Sequence, residues 1–318
     1  APGWPRIEGV EADLEFGVGM RISASRGSIL GTTLGPVVAE LPDFEAAEEM
    51  LLVKGLVEGP TAEFLKFIQR SPVAGKIDHL TDDMRAAGNG RLVMKLDMPL
   101  RHVVDTRVRG EYQFIDNQVT AVPGLPAINQ VNGRFDFSES GVNAPELTGQ
   151  LFGVPMRLSV NNEGENVRVS LSGGAQAREL RKFFDSPLFD HLTGQTSWKG
   201  EVRVRKQNTE FVIESSLQGL ASTLPEPFSK SANVAWPLRL EKSALSGDGA
   251  GRDQIRLRLR NVGELLLIRR PEGGELQVER GSAAIGDVLP EMPVRGVALA
   301  IKMPRGDSDF WGPLLGTG

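Results

Sequence analysis

Side chains able to do chemistry are scarce in this chain and poorly spaced for it. Cysteine is absent, which removes disulfides, thiolate nucleophiles and cysteine metal clusters. The three histidines, His79, His102 and His191, lie too far apart in sequence for the short-range pairs of a zinc site. No metal and no cofactor is expected. The G-x-S-x-G, H-E-x-x-H, G-K-[ST] and EF-hand spacings do not occur. Gly247-Asp248-Gly249-Ala250-Gly251 resembles a phosphate loop, but it lacks the third glycine at the required spacing and precedes a strand pattern. A hairpin turn is expected there. The adjacent acids Asp82-Asp83 and Glu48-Glu49 point apart in a strand or loop, so they read as solvated charge and not as an acid/base pair. His79 and His191 each follow a Ser-Pro pair and read as turn contacts. No enzyme activity is expected.

Composition narrows the class further. Lys and Arg total 36 against 41 Asp and Glu, a net charge of −5, the wrong sign for a protein that neutralises nucleic-acid phosphates. The arginine strands TRVRG, EVRVRK and IRLRLR read as a solvated outer face. Trp4, Trp198, Trp236 and Trp311 read as core or rim packing. A chain without cysteine suits an oxidising compartment. No apolar run reaches the ~18 residues of a membrane-spanning helix; the longest candidate, Leu265-Leu266-Leu267-Ile268, is closed by Arg269 and Arg270. Ala1 begins no signal-peptide pattern, and the opening Ala-Pro-Gly-Trp-Pro reads as an excerpt of a longer chain.

The elements that must position these side chains are strands. Glycine (37) and proline (20) are abundant without a collagen period, which implies many turns between short strands. Period-two alternation dominates between the turns. Leu92, Met94, Leu96 and Met98 oppose Arg91, Val93, Lys95 and Asp97. Val108, Tyr112 and Phe114 oppose Arg107, Arg109, Glu111 and Gln113, while Phe135 and Phe137 oppose Arg134 and Asp136. Val202 and Val204, then Ile255, Leu257 and Leu259, then Leu299 and Ile301 continue the rule, and Leu158 joins the same apolar set. Such strands have one greasy and one wet face. Helices are few: Gly59-Pro60-Thr61 offers an N-cap to a stripe of Phe64, Leu65 and Ile68 that Pro72 stops, and Leu180, Phe183 and Phe184 before Pro187 repeat the device. Asp307 would cap a third, and segment 43–51 reads equally as a helical turn or a charged loop.

The chain also repeats itself. Pro2, Gly3, Pro5, Ile7, Val10 and Phe16 recur as Pro123, Gly124, Pro126, Ile128, Val131 and Phe137. Gly27 to Gly31 recurs as Gly149 to Gly153, Phe64 to Ile68 faces Glu179 to Phe183, and His79-Leu80-Thr81 faces His191-Leu192-Thr193. The expected division is 1–121 and 122–218 as two β units, with 219–318 a partial third ending in a short helix, all in one continuous elongated structure. The greasy faces have two outlets from sequence alone. They form a curved gutter lengthened by stacking repeats, or they close on each other as β-sandwiches.

The segment Gly219-Leu220-Ala221-Ser222-Thr223-Leu224-Pro225-Glu226-Pro227-Phe228-Ser229-Lys230, followed by Trp236-Pro237-Leu238, resembles the YhdP branch of the AsmA-like proteins of Gram-negative envelopes. The Pro-Gly-x-Pro openings, the Ser-Pro pairs at 71 and 186 and Asp309-Phe310-Trp311 fit the same family. The resemblance implies a mainly β, elongated, curved antiparallel groove built from repeated units with a few short helices. It further implies an internal periplasmic portion of an inner-membrane-anchored protein that carries phospholipid between inner and outer membranes, with acyl chains as partners and protein partners unspecified. On that implication the residues from Leu92 to Ile301 named above are the candidate groove lining. A structural envelope spacer or interaction module of closed sandwiches is the alternative.

Overall fold

The computed structural model describes residues 5–77, 79, 81–102, 105–121, 126–138, 140–163, 166–205, 208–245, 251–272 and 275–303. The expectations for Trp4, Pro123, Gly124, Leu80, Trp311, the Gly247–Ala250 turn and the helix after Asp307 lie outside these residues. Two compact units are present, Ala1–Gln150 with Arg157–Val167, and Leu151–Met156 with Arg168–Gly318. The protein is mainly β and mostly antiparallel, with a few short helices, as the alternation requires.

In unit 1 the strands are β1 (Ile7–Phe16), β2 (Met20–Ile29), β3 (Thr32–Leu41), β4 (Met50–Pro60), β5 (Arg85–Pro99), β6 (Arg107–Thr120), β7 (Ile128–Ser138) and β8 (Gly141–Leu151). Each pairs antiparallel with the next, so β1 to β8 form one meander. Segment 43–51 is no helix: it bends and then opens β4 at Met50. Between β4 and β5 lie α1 (Thr61–Gln69) and the short α2 (Val73–Lys76). β9 (Val154–Glu163) follows β8, with Arg157 Nε 3.2 Å from Glu146.

Unit 2 continues with β10 (Asn166–Gln176), α3 (Ala177–Phe183), a 3-10 turn over Pro187–His191, β11 (Leu192–Arg205), β12 (Asn208–Ser215), β13 (Leu220–Ser222), β14 (Leu238–Ala244), β15 (Asp253–Leu259), β16 (Gly263–Glu272), β17 (Glu275–Ile285) and β18 (Gly296–Ile301). The antiparallel order is β11-β12-β14-β15-β16-β17. β18 pairs parallel to β17, and β13 pairs with the first residues of β11.

The internal repeat has a physical counterpart. Leu30 and Phe152, at φ 53° and 49°, precede Gly31 and Gly153 in two hairpin turns, where a residue with positive φ matches the strand twist. A Cβ on either glycine would lie 2.9 Å from Glu63 Cγ or 2.8 Å from Glu179 Cγ, so each turn is roofed by the first-turn glutamate of a helix. Glu63 also pairs with Lys66 and Glu179 with Lys182, three residues on. The geometry therefore matches Glu63 to Glu179, one residue off the sequence pairing of Phe64 with Glu179. Each Ser-Pro pair, expected as a stop, opens a second short helical turn. The expected N-cap does not form: Pro60 occupies that position without a side-chain bond, and Thr61 is the first helical residue, 3% exposed.

Candidate functional site

Cross-strand register turns the alternation of single strands into rows. In unit 1, Leu14, Ile22, Ala39, Val53, Leu96 and Val108 stand directly opposite one another across β1 to β6. At ~4.8 Å per strand this row spans roughly 24 Å. A second row runs Leu34, Val57, Leu92, Tyr112 and Phe135. A third runs Val37, Gly55, Met94, Gly110 and Phe137, and Met98 faces Leu51. The opposite face of the same strands carries Arg91, Lys95 and Asp97 beside Glu58, Lys54 and Arg107. One side of unit 1 is therefore greasy and the other charged, because side chains alternate at a period of two.

Helix α1 covers one end of the greasy side. Its Phe64 ring meets Tyr112 edge-on at 5.1 Å, and Tyr112 also packs on Phe114 at 5.1 Å and Phe135 at 5.3 Å. The Tyr112 hydroxyl donates to Thr61 Oγ1 at 2.9 Å, and burial pushes its pKa up to about 12 against the opposing influence of that hydrogen bond. Tyr112 is thus sealed beneath the helix, while Phe114, Phe135 and Phe137 beside it are half-buried. Away from α1 the row is open, with Leu14 53% and Phe16 69% exposed.

Unit 2 is built alike. Ile213, Leu240, Leu257, Leu265, Ala283 and Leu299 align across β12 to β18, and Leu238, Leu259, Gly263, Ile285 and Ile301 align beside them. Val202 faces Phe211, and Val204 faces Thr209. Trp198 anchors one end by donating from Nε1 to the Gly174 carbonyl at 2.9 Å. Of the sequence candidates, Leu92, Met94, Leu96, Met98, Val108, Leu158, Val202, Val204, Ile255, Leu257 and Leu259 are half-buried, and Leu299 and Ile301 are exposed. Those from Leu92 to Val108 lie on the greasy face of unit 1 and those from Val202 to Ile301 on that of unit 2, while no cross-strand partner among the described residues places Leu158 on either.

One interruption was invisible to alternation. Lys242 stands between Phe211 and Ile255 on the greasy side of unit 2, and Asp253 faces Arg269 two residues away. Asp253, only 5% exposed, accepts from Arg269 at 2.8 and 2.7 Å, and Lys242 Nζ lies 3.6 Å off. Pairing is what makes so buried a carboxylate tolerable. Sequence reading also missed Leu14, Ile22, Val53, Ile213 and Leu240, whose strands mix in Ala, Ser, Gly and charge. The histidines behave as turn contacts: His79 Nδ1 lies 2.8 Å from Asp82 Oδ2, and His191 Nδ1 lies 3.3 Å from Thr223 Oγ1. Among the described residues no helix is long and apolar enough to cross a membrane.

The most family-like segment is itself a compact clamp. Lys230, 7% exposed, donates from Nζ to the Leu220 carbonyl at 2.7 Å and the Ser231 carbonyl at 3.1 Å, and burial lowers its pKa. The family model described as YhdP protein matches residues 1–318. The chain belongs to the YhdP family. A YhdP-family relative, the intermembrane phospholipid transporter YhdP of Escherichia coli (strain K12), is 23% identical over 329 residues, covering 98% of this chain and 25% of its own length. The chain thus spans about a quarter of that YhdP relative. No solved structure matches it.

Proposed function

We propose that this chain is a periplasmic segment of a phospholipid-transfer protein, and that the greasy faces of its two units are where acyl chains travel between inner and outer membranes. The observation that carries the reading is the register of the apolar rows. Leu14 to Val108 in unit 1 and Ile213 to Leu299 in unit 2 each run without a charged member across six strands. An acyl chain leaving a bilayer for water loses ~0.8 kcal/mol per CH₂; a surface that stays apolar from strand to strand removes most of that barrier. The Escherichia coli relative's name, intermembrane phospholipid transporter, supports the same substrate class. The exposure of Leu14, Phe16, Leu299 and Ile301, each 50% or more, speaks against a closed sandwich, in which such residues would be covered. Nothing in this scheme makes or breaks a bond; the protein supplies a low-specificity surface and the lipid slides.

Site-specific photocrosslinking in the full-length protein tests it. A photoreactive residue at Leu96 or Leu257 should capture phospholipid, and one at Lys95 or Arg256, on the charged side, should capture little. Equal yields from both sides, or none from Leu96 and Leu257, would overturn the proposal.

A further inference from the structure

The charged side of unit 1 holds an arrangement that the apolar rows do not explain. Register places Lys54, Lys95 and Arg109 directly opposite one another on β4, β5 and β6. Like charges in directly opposed positions destabilise a sheet, and here three cations stand in line at ~4.8 Å spacing. Two residues along the strands, the next rung reads Leu56, Val93, Glu111 and Asp136, so two acids on β6 and β7 also face each other. Little of this charge is cancelled locally. Lys95 has Asp97 at 3.6 Å and Glu111 has Arg134 at 3.6 Å, while Lys54, Arg109 and Asp136 make no ion pair among the described residues.

The two rungs line one cavity of about 910 Å³. That volume lies at the upper end of the range of ordinary ligand pockets, roughly 300–1,000 Å³. Its apolar floor is Val38, Leu56 and Val93, the last 46% exposed. A simple anion would be drawn to the cation rung and repelled by Glu111 and Asp136. A simple cation would meet the reverse. A ligand carrying both signs a few ångström apart relieves both like-charge rungs at once, since the rungs are ~6.7 Å apart along the strands.

We propose that this cavity is a site for a phosphoethanolamine-type zwitterion. The phosphate lies along Lys54, Lys95 and Arg109, the ammonium is taken by Glu111 and Asp136, and the first carbons beyond the ester rest on Val38, Leu56 and Val93. The charged side chains of the two rungs alternate in register with the acyl-chain rows and so lie on the other side of the sheet, though the cavity also borders Gly55, Met94, Gly110 and Phe137 of the third row. A phospholipid headgroup or a soluble phosphoethanolamine ester supplies the same chemistry.

Calorimetry on the full-length protein decides the matter. The probes are dihexanoyl phosphatidylethanolamine, dihexanoyl phosphatidylglycerol, free O-phosphoethanolamine and inorganic phosphate, each as a monomer in solution. The ethanolamine lipid should bind at least tenfold tighter than the glycerol lipid, with free phosphoethanolamine competing. Lys54→Gln with Arg109→Gln should weaken it tenfold or more, and Glu111→Gln with Asp136→Asn should erase the preference over the glycerol lipid. Lipid tighter than the free ester identifies a membrane headgroup as the source; equal affinity identifies a soluble ester. Equal binding of both lipids, displacement by phosphate alone, or no binding overturns the site. Binding lost in Leu96→Asp but kept in both double charge variants also overturns it, and leaves the acyl-chain reading standing. Failure of lipid capture at Leu96 with this binding intact sinks that reading alone.

Discussion

Tyr112 is the only tyrosine in the chain, so its ionisation can be read without interference. Its hydroxyl is buried between α1 and β6, and that burial raises the phenol's pKa to about 12 although the hydrogen bond to Thr61 pulls the other way. The unfolded chain releases the same proton near pH ~10. Because the folded pKa is the higher one, its contribution is complete below pH ~10 and is lost as pH rises toward 12. The difference of about two units corresponds to roughly 2–3 kcal/mol. Ultraviolet titration of the native chain should therefore give a phenolate midpoint near 12 that drops to ~10 in concentrated guanidinium. Urea melts at pH 8 and 11 should show an alkaline loss that Tyr112→Phe abolishes. The same substitution should cost about 1–3 kcal/mol at pH 8, since it strands the Thr61 hydroxyl, 3% exposed, without its donor. A native midpoint near 10 would mean that α1 does not seal this end of the sheet.

The greasy face depends on where strands carry no side chain at all. Gly110 on β6 faces Phe137 on β7, and a Cβ at Gly110 would lie 2.3 Å from Phe137 Cζ, so the ring lies across the glycine. Aromatic cover of a cross-strand glycine pins register as well as packing. Gly110→Val should cost about 1–3 kcal/mol through overpacking. Most of that loss should vanish in a Phe137→Ala background, a coupling that urea denaturation of the four cycle members measures. Alternation made β5, β6, β7, β11 and β15 legible because their two faces differ sharply in residue type. It failed at Leu265-Leu266-Leu267-Ile268 of β16, where both faces are apolar: Leu266 sits in the rung of Glu241 and Arg256 while Leu265 and Leu267 join the greasy side. β1 and β2 were obscure for the opposite reason, since Ala12, Ala24 and Gly27 fill apolar places with almost no side chain. The ion cluster of Asp253, Arg269 and Lys242 joins three strands, and the like-charge rungs at Lys54 and Glu111 exist only through register. A pattern read along one strand carries neither.

At the scale of the molecule, the acyl-chain reading requires each unit to contribute one stretch of a path travelled in series. A carboxylate set into either stretch forces a lipid chain past an unpaired charge, whose desolvation is costly. Leu96→Asp breaks the row between Val53 and Val108 in unit 1, and Leu257→Asp breaks the row between Leu240 and Leu265 in unit 2. Barriers in series add as resistances. If the two lesions are equally severe, the double variant of the full-length protein should transfer phospholipid at most about twofold more slowly than the worse single one. Independent contributions to affinity or folding would instead multiply. Vesicle-to-vesicle transfer of a labelled phospholipid separates the two cases, with circular dichroism to show that each variant keeps its strand content. A multiplicative loss in folded variants would mean that the two faces act as separate binding surfaces and that no lipid passes from one to the other.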